Sequence, residues 1–338
     1  MLQLGITALT NYLLDDLEAA ATQSGLGGRV RRGEPLARHT SLRVGGPADL
    51  YVKADTIDDV VGWIKLARER ELPLLILGHG SNVLVSDRGV RGVVVEIACA
   101  GHSLRVLDAT QPFPTAHGAT ITADAIVTAE AGVSLPALAY QLAKQGWGGF
   151  EQAIGIPGAV GACVVNNAGA HGWSMEDSTL SVLVLGPQGD VYDLPAPDLA
   201  FEYRGSRFKH QPHQEREVVL RADLAVQRAD PAQLQARMAE YTAHRRRSQP
   251  TDPSIGSMFK NPPGDYAGRL IDAAGLKGYR VGQAEISAKH ANFFVNLGGA
   301  TAAEVAGLIQ AARSAVRQKY GISLELEIEP LGDWGEED

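Results

Sequence analysis

Between two short apolar runs, Leu74–Leu77 and Val83–Val85, the chain carries Gly78-His79-Gly80-Ser81-Asn82. Glycines at this spacing let successive backbone N–H groups converge on an anion, and the Ser and Asn side chains add donors. The flanking elements decide which fold such a loop can serve. Upstream, Thr56–Arg70 reads as a helix, with Thr56 and Asp59 as a capping box and Ile57, Val60, Val61 and Ile64 on one face. Downstream, Val83–Val85 is followed by a turn at Asp87–Gly89 and a strand at Val93–Ile97. The order is β-α-β-β, with the glycines between two strands. A dinucleotide fingerprint needs them between a strand and a helix, which disfavours the doubly wound fold. On its own a Gly-x-Gly loop is most often a tight turn, and His79 reads as a solvent-facing loop residue.

A second cluster runs Gly155-Ile156-Pro157-Gly158-Ala159-Val160-Gly161 and continues to Asn167-Ala168-Gly169-Ala170-His171-Gly172. The two clusters give a place to part of a glycine excess, 38 among 338 residues against roughly 7% in ordinary chains. Two loops of this kind could share one pyrophosphate; close packing is the alternative use of the glycines. Lys and Arg number 31 against 39 Asp and Glu, a formal net charge of −8. That balance offers no general hold on nucleic acid or anionic lipid, so an anionic ligand needs a local site. No run approaches the roughly 18 apolar residues of a spanning helix. Cys99 and Cys163 lack metal-ligand spacing and read as buried small hydrophobes in a reducing compartment. The first basic residue is Arg29, and Asp15, Asp16 and Glu18 precede it, the wrong order for a secretory signal. The expectation is a cytoplasmic protein of two or three domains.

Further elements follow from pattern. Residues 8–23, Pro136–Gln145, Asp230 onward and Thr301–Tyr320 read as helices. Asp230-Pro231 supplies an N-cap and a first-turn proline, and Thr301 with Glu304 a second capping box. Arg245-Arg246-Arg247 suits the negative end of a helix. Ala125–Glu130, Leu180–Leu185 and Val218–Leu224 read as strands. A last strand alternates Ile322, Leu324, Leu326 and Ile328 with Ser323, Glu325, Glu327 and Glu329. Three stretches could carry chemistry. Arg204, within Phe201-Glu202-Tyr203-Arg204-Gly205-Ser206-Arg207-Phe208-Lys209, suits planar carboxylate recognition or sits on a surface loop. Ser257, within Gly256-Ser257-Met258-Phe259-Lys260-Asn261-Pro262, could be a nucleophile, a proton donor or a cap; no Gly-x-Ser-x-Gly elbow supports the first. The glutamates of the last strand could equally line a solvated edge.

In this order, these stretches resemble the UDP-N-acetylenolpyruvoylglucosamine reductase family. The resemblance runs from His39-Thr40-Ser41-Leu42-Arg43-Val44-Gly45-Gly46-Pro47-Ala48-Asp49 to Leu331-Gly332 and takes in Lys289-His290-Ala291-Asn292-Phe293 and Leu324-Glu325-Leu326-Glu327-Ile328. It implies an α+β chain: a two-lobed FAD-binding domain of the vanillyl-alcohol-oxidase (PCMH) type and a smaller α+β substrate-binding domain. The expected bounds are an N-terminal arm at 1–40, lobes at about 41–97 and 98–225, a substrate domain at 226–321 and a C-terminal strand and tail at 322–338. The implied activity is NADPH-dependent reduction of UDP-N-acetylglucosamine enolpyruvate to UDP-N-acetylmuramate in peptidoglycan precursor synthesis. It is an oxidoreductase reaction on a CH–CH bond, with non-covalent FAD and NADPH as co-substrate. NADPH reduces the flavin and leaves, and the substrate then occupies the same cleft.

By the same resemblance, Gly78, His79, Gly80, Ser81, Asn82, Gly155, Ile156, Pro157, Gly158 and Gly161 hold the cofactor. Arg204 stabilises the enolate, Ser257 protonates C2 and Glu327 is the acidic partner. Arg204, Asn261 and His290 contact substrate. No metal, nucleic acid or membrane is implied, and the expected state is a monomer, with a dimer as the alternative. An oxidase sharing the FAD fold and a non-catalytic UDP-sugar-binding protein remain as other readings. Two features depart from the family. Ser248 stands where many members carry Lys, with Arg246 or Arg247 as candidate replacements, and Ala100–Thr120 reads as a local insertion.

Overall fold

The computed structural model describes residues 8–115, 117–212 and 215–335. The outer ends of the expected arm (1–7) and tail (336–338) lie outside the described residues. Pro47–Ala54 buries Leu50 and Val52 on one side and Tyr51 on the other, and this two-sided burial organises the first lobe. Its sheet runs Arg29–Pro35, Pro47–Ala54, Val90–Ile97, Leu74–Leu77; the first pair is antiparallel and the others parallel. Helices Asn11–Gln23 and Ile57–Glu69 cover one face, with Leu17, Val60, Trp63 and Ile64 against Leu50, Val52, Val93 and Val95. On the other face Leu36, Tyr51, Leu77, Val85, Val94 and Leu331 form a smaller core.

Arg29–Pro35, within the expected arm, is instead an edge strand of this sheet with only Glu34 buried. The Thr56–Asp59 capping box is only half made. The Asp59 amide donates to the Thr56 hydroxyl at 3.1 Å, but the Asp59 carboxylate accepts from Gly27 N–H and Thr56 Oγ1 instead of the cap amide.

The second lobe is a six-stranded antiparallel sheet. Along its main path lie Val191–Pro195, Thr179–Leu185, Val218–Arg228, Thr120–Glu130 and His102–Pro114, with Trp147–Gly148 paired to the end of Val218–Arg228. The expected insertion at 100–120 therefore holds a 13-residue edge strand. Its mostly exposed side chains hid it from any alternation test. Helices Leu135–Lys144, Val160–Val165 and Pro231–Ser248 pack on the sheet through Leu138, Leu142, Val160, Val164, Leu234 and Met238. Leu234 and Met238 place Pro231–Ser248 in this core, so the packing boundary falls after Ser248 and not at 226.

The third core gathers Ile255–Ile328 and takes in Leu42, Val44 and Leu84 from the first lobe. Helices Ala267–Ala273 and Ala302–Tyr320 pack against a small antiparallel sheet of Arg280–Val281, Ala284–Ile286 and Phe294–Asn296. Thr301 and Glu304 make their capping box in full, and Gly321 ends the long helix at φ 70°. The expected strand from Ile322 is not one. Residues 325–327 lie along Met258–Lys260 in a single antiparallel bridge, Phe259 to Leu326, joined by Lys260 N–H to Glu325 O and Glu327 N–H to Met258 O, and the chain bends at 327–328. Only Glu329–Leu331 is strand, paired in parallel with Val83–Val85 of the first lobe.

Candidate active site

One continuous cleft runs between the lobes and the third core. Its floor begins where Leu74–Leu77 ends. Gly80 is in the left-handed region (φ 58°), and a Cβ there would lie 2.0 Å from His39 O, so only glycine fits. The turn leaves the amides of His79, Gly80, Ser81 and Asn82 with no acceptor among the described residues. Four free N–H groups around a left-handed residue form a concavity suited to an anion. Across from it lies Gly155-Ile156-Pro157-Gly158, joined to the first loop by Ser81 Oγ donating to Pro157 O at 2.8 Å. Side chains are excluded here by close packing: a Cβ on Gly158 would meet Cys163 Sγ at 2.9 Å, and one on Gly161 would meet Ala131 Cβ at 2.6 Å. Burial pushes the Cys163 thiol up to about 12, which leaves it inert beneath the loop. Both loops, all ten residues named from sequence, line the cleft; His79 is solvent-exposed at its mouth.

The opposite wall brings together Arg204, Ser257 and Glu327 from three separate segments. Glu202 and Gly205 exchange backbone hydrogen bonds of 3.1 Å, and Arg204 sits at this turn's tip with φ 59°. A non-glycine residue in that region is strained and needs outside support. Its Nη2 donates to Gly169 O at 2.9 Å, and its Nε lies 2.8 Å from Glu327 Oε1. Glu327 is largely buried. That burial raises its pKa, while the cations Arg204, Lys209 and Lys260 pull the other way. Ser257 reaches the cleft because Met258 N–H donates to Asn292 O, while Met258 O accepts from Glu327 N–H. The Asn292 side chain clasps Phe259 from both sides, through Phe259 N–H (3.0 Å) and Phe259 O (2.8 Å). Its stretch of the sequence thus holds the serine segment in place.

Asn261 and His290 do not line the cleft. Asn261 Oδ1 accepts from Ala267 N–H at the start of helix Ala267–Ala273. His290, half-buried, packs its ring edge-on against Phe293, and burial lowers its pKa. Glu325 is also apart: it pairs with Lys260 at 2.6 Å on the surface. The cation that helix Pro231–Ser248 delivers is Arg245, which faces Gly155, whereas Arg246 and Arg247 are exposed. Ser248 only donates to His244 O. Sequence reading also passed over Lys209, Arg216 and Gln249 in the cleft wall, where Glu329 of the last-strand glutamates also lies. None lies in a chemistry-bearing pattern of its own, although Lys209 closes the Arg204 stretch.

A family model described as UDP-N-acetylenolpyruvoylglucosamine reductase, C-terminal domain, matches residues 249–331, and one described as FAD binding domain matches residues 48–195. UDP-N-acetylenolpyruvoylglucosamine reductase 2 of Symbiobacterium thermophilum is 44% identical over 306 residues, covering 90% of this chain and 93% of that protein. The chain belongs to the UDP-N-acetylenolpyruvoylglucosamine reductase family. The reductase of Chloroflexus aurantiacus is 42% identical over 296 residues, 87% of this chain and 95% of its own. The crystal structure of the reductase from Thermus caldophilus superposes with TM-score 0.71 at 35% identity, covering 90% of this chain and 99% of that one. The fold is accordingly the family's: an FAD-binding domain in two lobes and a C-terminal substrate-binding domain. Among the described residues no helix is long and apolar enough to cross a membrane.

Proposed function

We propose that the chain reduces UDP-N-acetylglucosamine enolpyruvate to UDP-N-acetylmuramate in peptidoglycan precursor synthesis, with FAD as cofactor and NADPH as reductant. The reading extends to a cytoplasmic enzyme, monomeric or dimeric, with small-molecule partners. The observation that carries it is the meeting of Arg204, Glu327 and Ser257 in one cleft with the two glycine loops, in a chain of this family. The free amides of residues 79–82 fit a pyrophosphate without a lysine. Bound FAD would supply a hydride acceptor for NADPH and a donor for the enolpyruvyl carbon.

The chain's residues manage the charge and the proton. As hydride reaches C3, negative charge grows on C2 and its carboxylate, and the role given to the Arg204 guanidinium, which lines the cleft, is to meet that charge. Glu327 helps only as a hydrogen-bond donor, which requires its proton; burial favours that neutral form. The Ser257 hydroxyl gives its proton to C2. So weak an acid suffices because the carbanion is a strong base. Asn261 and His290 are not among the residues that line the cleft, although His290 packs on Phe293, which does, and no step is assigned to either.

Purified holoenzyme should oxidise NADPH continuously only when UDP-N-acetylglucosamine enolpyruvate is present. In stopped-flow, Ser257→Ala should keep flavin reduction by NADPH and slow turnover of the enolpyruvyl substrate by about 100-fold or more. Parent rates in both half-reactions of this variant would remove Ser257 as the proton donor.

A further inference from the structure

Lys209 lies at the meeting point of the segments that carry the chemistry, and neither the fold nor the family reading gives it a task. It follows Arg204 in the short 3-10 turn Arg207–His210, and its stem runs into the cleft wall. Its Nζ lies 2.8 Å from Asn166 Oδ1, 3.4 Å from Arg204 O and 3.5 Å from Glu327 O. An ammonium has three donors and no acceptor, and here three acceptors come from three different segments. Asn82 of the first glycine loop completes the junction: its Nδ2 is 3.2 Å from both Asn166 Oδ1 and Glu327 O. Asn166 is itself fixed by donating to Ala162 O at 2.9 Å.

Resting on the function proposed above, we propose that Lys209 is a positioning residue whose ammonium holds the Arg204 turn and the Glu327 segment together within the cleft wall. Two features make such a tie necessary. Arg204 keeps a left-handed backbone that its own turn does not favour. Glu327 reaches the site at a bend, in a segment joined to its neighbours by few ladder bonds and not within a sheet. A neutral side chain of the same length could fill the space but could not bond three oxygens at once. The charge also matters to Glu327. Lys209, Arg204 and Lys260 are the cations that oppose the rise in its pKa, while Glu329 and Arg216 face Lys209 itself.

Holoenzyme carrying Lys209→Met or Lys209→Arg is followed through each half-reaction by stopped-flow across pH. NADPH should reduce the bound flavin at the parent rate in both. Lys209→Met should slow the enolpyruvyl half-reaction at saturating substrate by about 100-fold, as for a misplacement of about 1 Å. The alkaline limb of its pH profile should move upward, because Glu327 has lost a cation. Lys209→Arg should recover most of the rate and return the limb toward the parent. An unmoved limb, or an Arg variant as slow as the Met variant, overturns the proposal. If Lys209→Met does not retain FAD, Asn166→Ala replaces it and should slow the same half-reaction about tenfold, the worth of one hydrogen bond to a charged group; a parent rate overturns the tie. A parent enzyme inert toward the enolpyruvyl substrate would sink the proposed function alone. The Glu327 titration, read by infrared difference spectroscopy, then decides: it moves up in Lys209→Met, and an unmoved titration overturns the proposal.

Discussion

Glu325 and Glu327 stand two residues apart in one segment, yet their side chains differ fourfold in exposure, 72% against 18%. Glu325 makes a surface pair with Lys260, a contact worth at most about 1 kcal/mol. Glu327 faces the Arg204 guanidinium in a site where each charge is poorly screened. Glu327→Ala, which removes the donor, should therefore slow the enolpyruvyl half-reaction by about 100-fold. Glu325→Gln should stay within about threefold of the parent; equal effects of the two would reverse the assignment. The same carboxyl makes a stability prediction. Its pKa is raised in the fold, so its neutral form contributes stability that is present below the unfolded-state value. That contribution is lost as pH rises through the raised folded value. In urea titrations, Glu327→Gln should decline less than the parent across that window. Alternation alone put both glutamates on one face and could not separate them. Arg204 and Ser257 were legible because each stands in a local motif. Lys209, Arg216 and Arg245 were not, because only the tertiary fold turns them toward the same cleft.

At the scale of elements, the first glycine loop was legible in its place, since its flanking strands are short, apolar and sharply bounded. What sequence could not show is how tightly residues 39–40 press on it. Ser41 N–H donates to Gly80 O at 2.9 Å, and His39 O and Thr40 Cα occupy the space a Cβ would need. Gly80→Ala should therefore displace the loop as well as strain it. Purified protein should lose most of its flavin absorbance, with a stability loss above the roughly 1 kcal/mol of an unobstructed left-handed alanine. At Gly155 a Cβ would make ordinary contacts of 3.7 Å with Arg245. Gly155→Ala should keep parent stability in thermal unfolding, and equal losses in the two variants would argue against steric exclusion at Gly80. Two of the strands that sequence missed share one physical trait. Arg29–Pro35 and His102–Pro114 are sheet-edge strands with few buried residues, so period-two burial never registers in their composition. The converse error occurred at Ile322–Ile328, where clear alternation reflects burial along a neighbouring segment without a ladder.

Across the whole molecule, the cleft exists only while three cores keep their places, and the ties between them come from residues far apart in sequence. Arg68, on the helix covering the first sheet, donates to Gly186 O and Arg216 O of the second lobe at 2.7 and 2.9 Å. The third core is bound to the first lobe by the parallel pairing of Val83–Val85 with Glu329–Leu331. Asp87, just beyond that strand, adds a second tie. Its carboxylate accepts from Ala302 N–H at 2.8 Å and Ala303 N–H at 2.9 Å. These are the first two amides of helix Ala302–Tyr320, and Thr301 Oγ1 accepts from the third, Glu304 N–H. The start of this helix is therefore satisfied jointly by its own cap and by a side chain of another domain, in the field of its positive end. Asp87→Ala leaves two of those donors without their carboxylate. It should lower unfolding stability by about 1–2 kcal/mol, as for loss of a strong helix cap. Asp87→Asn, which retains one acceptor oxygen, should fall between it and the parent. Urea unfolding followed by far-ultraviolet circular dichroism measures both. An Asp87→Ala variant with the parent midpoint would mean that the strand pairing alone fixes the third core. Because Glu327 enters the cleft between this helix and that strand pair, a shifted midpoint should be accompanied by slower enolpyruvyl turnover with flavin reduction by NADPH unchanged.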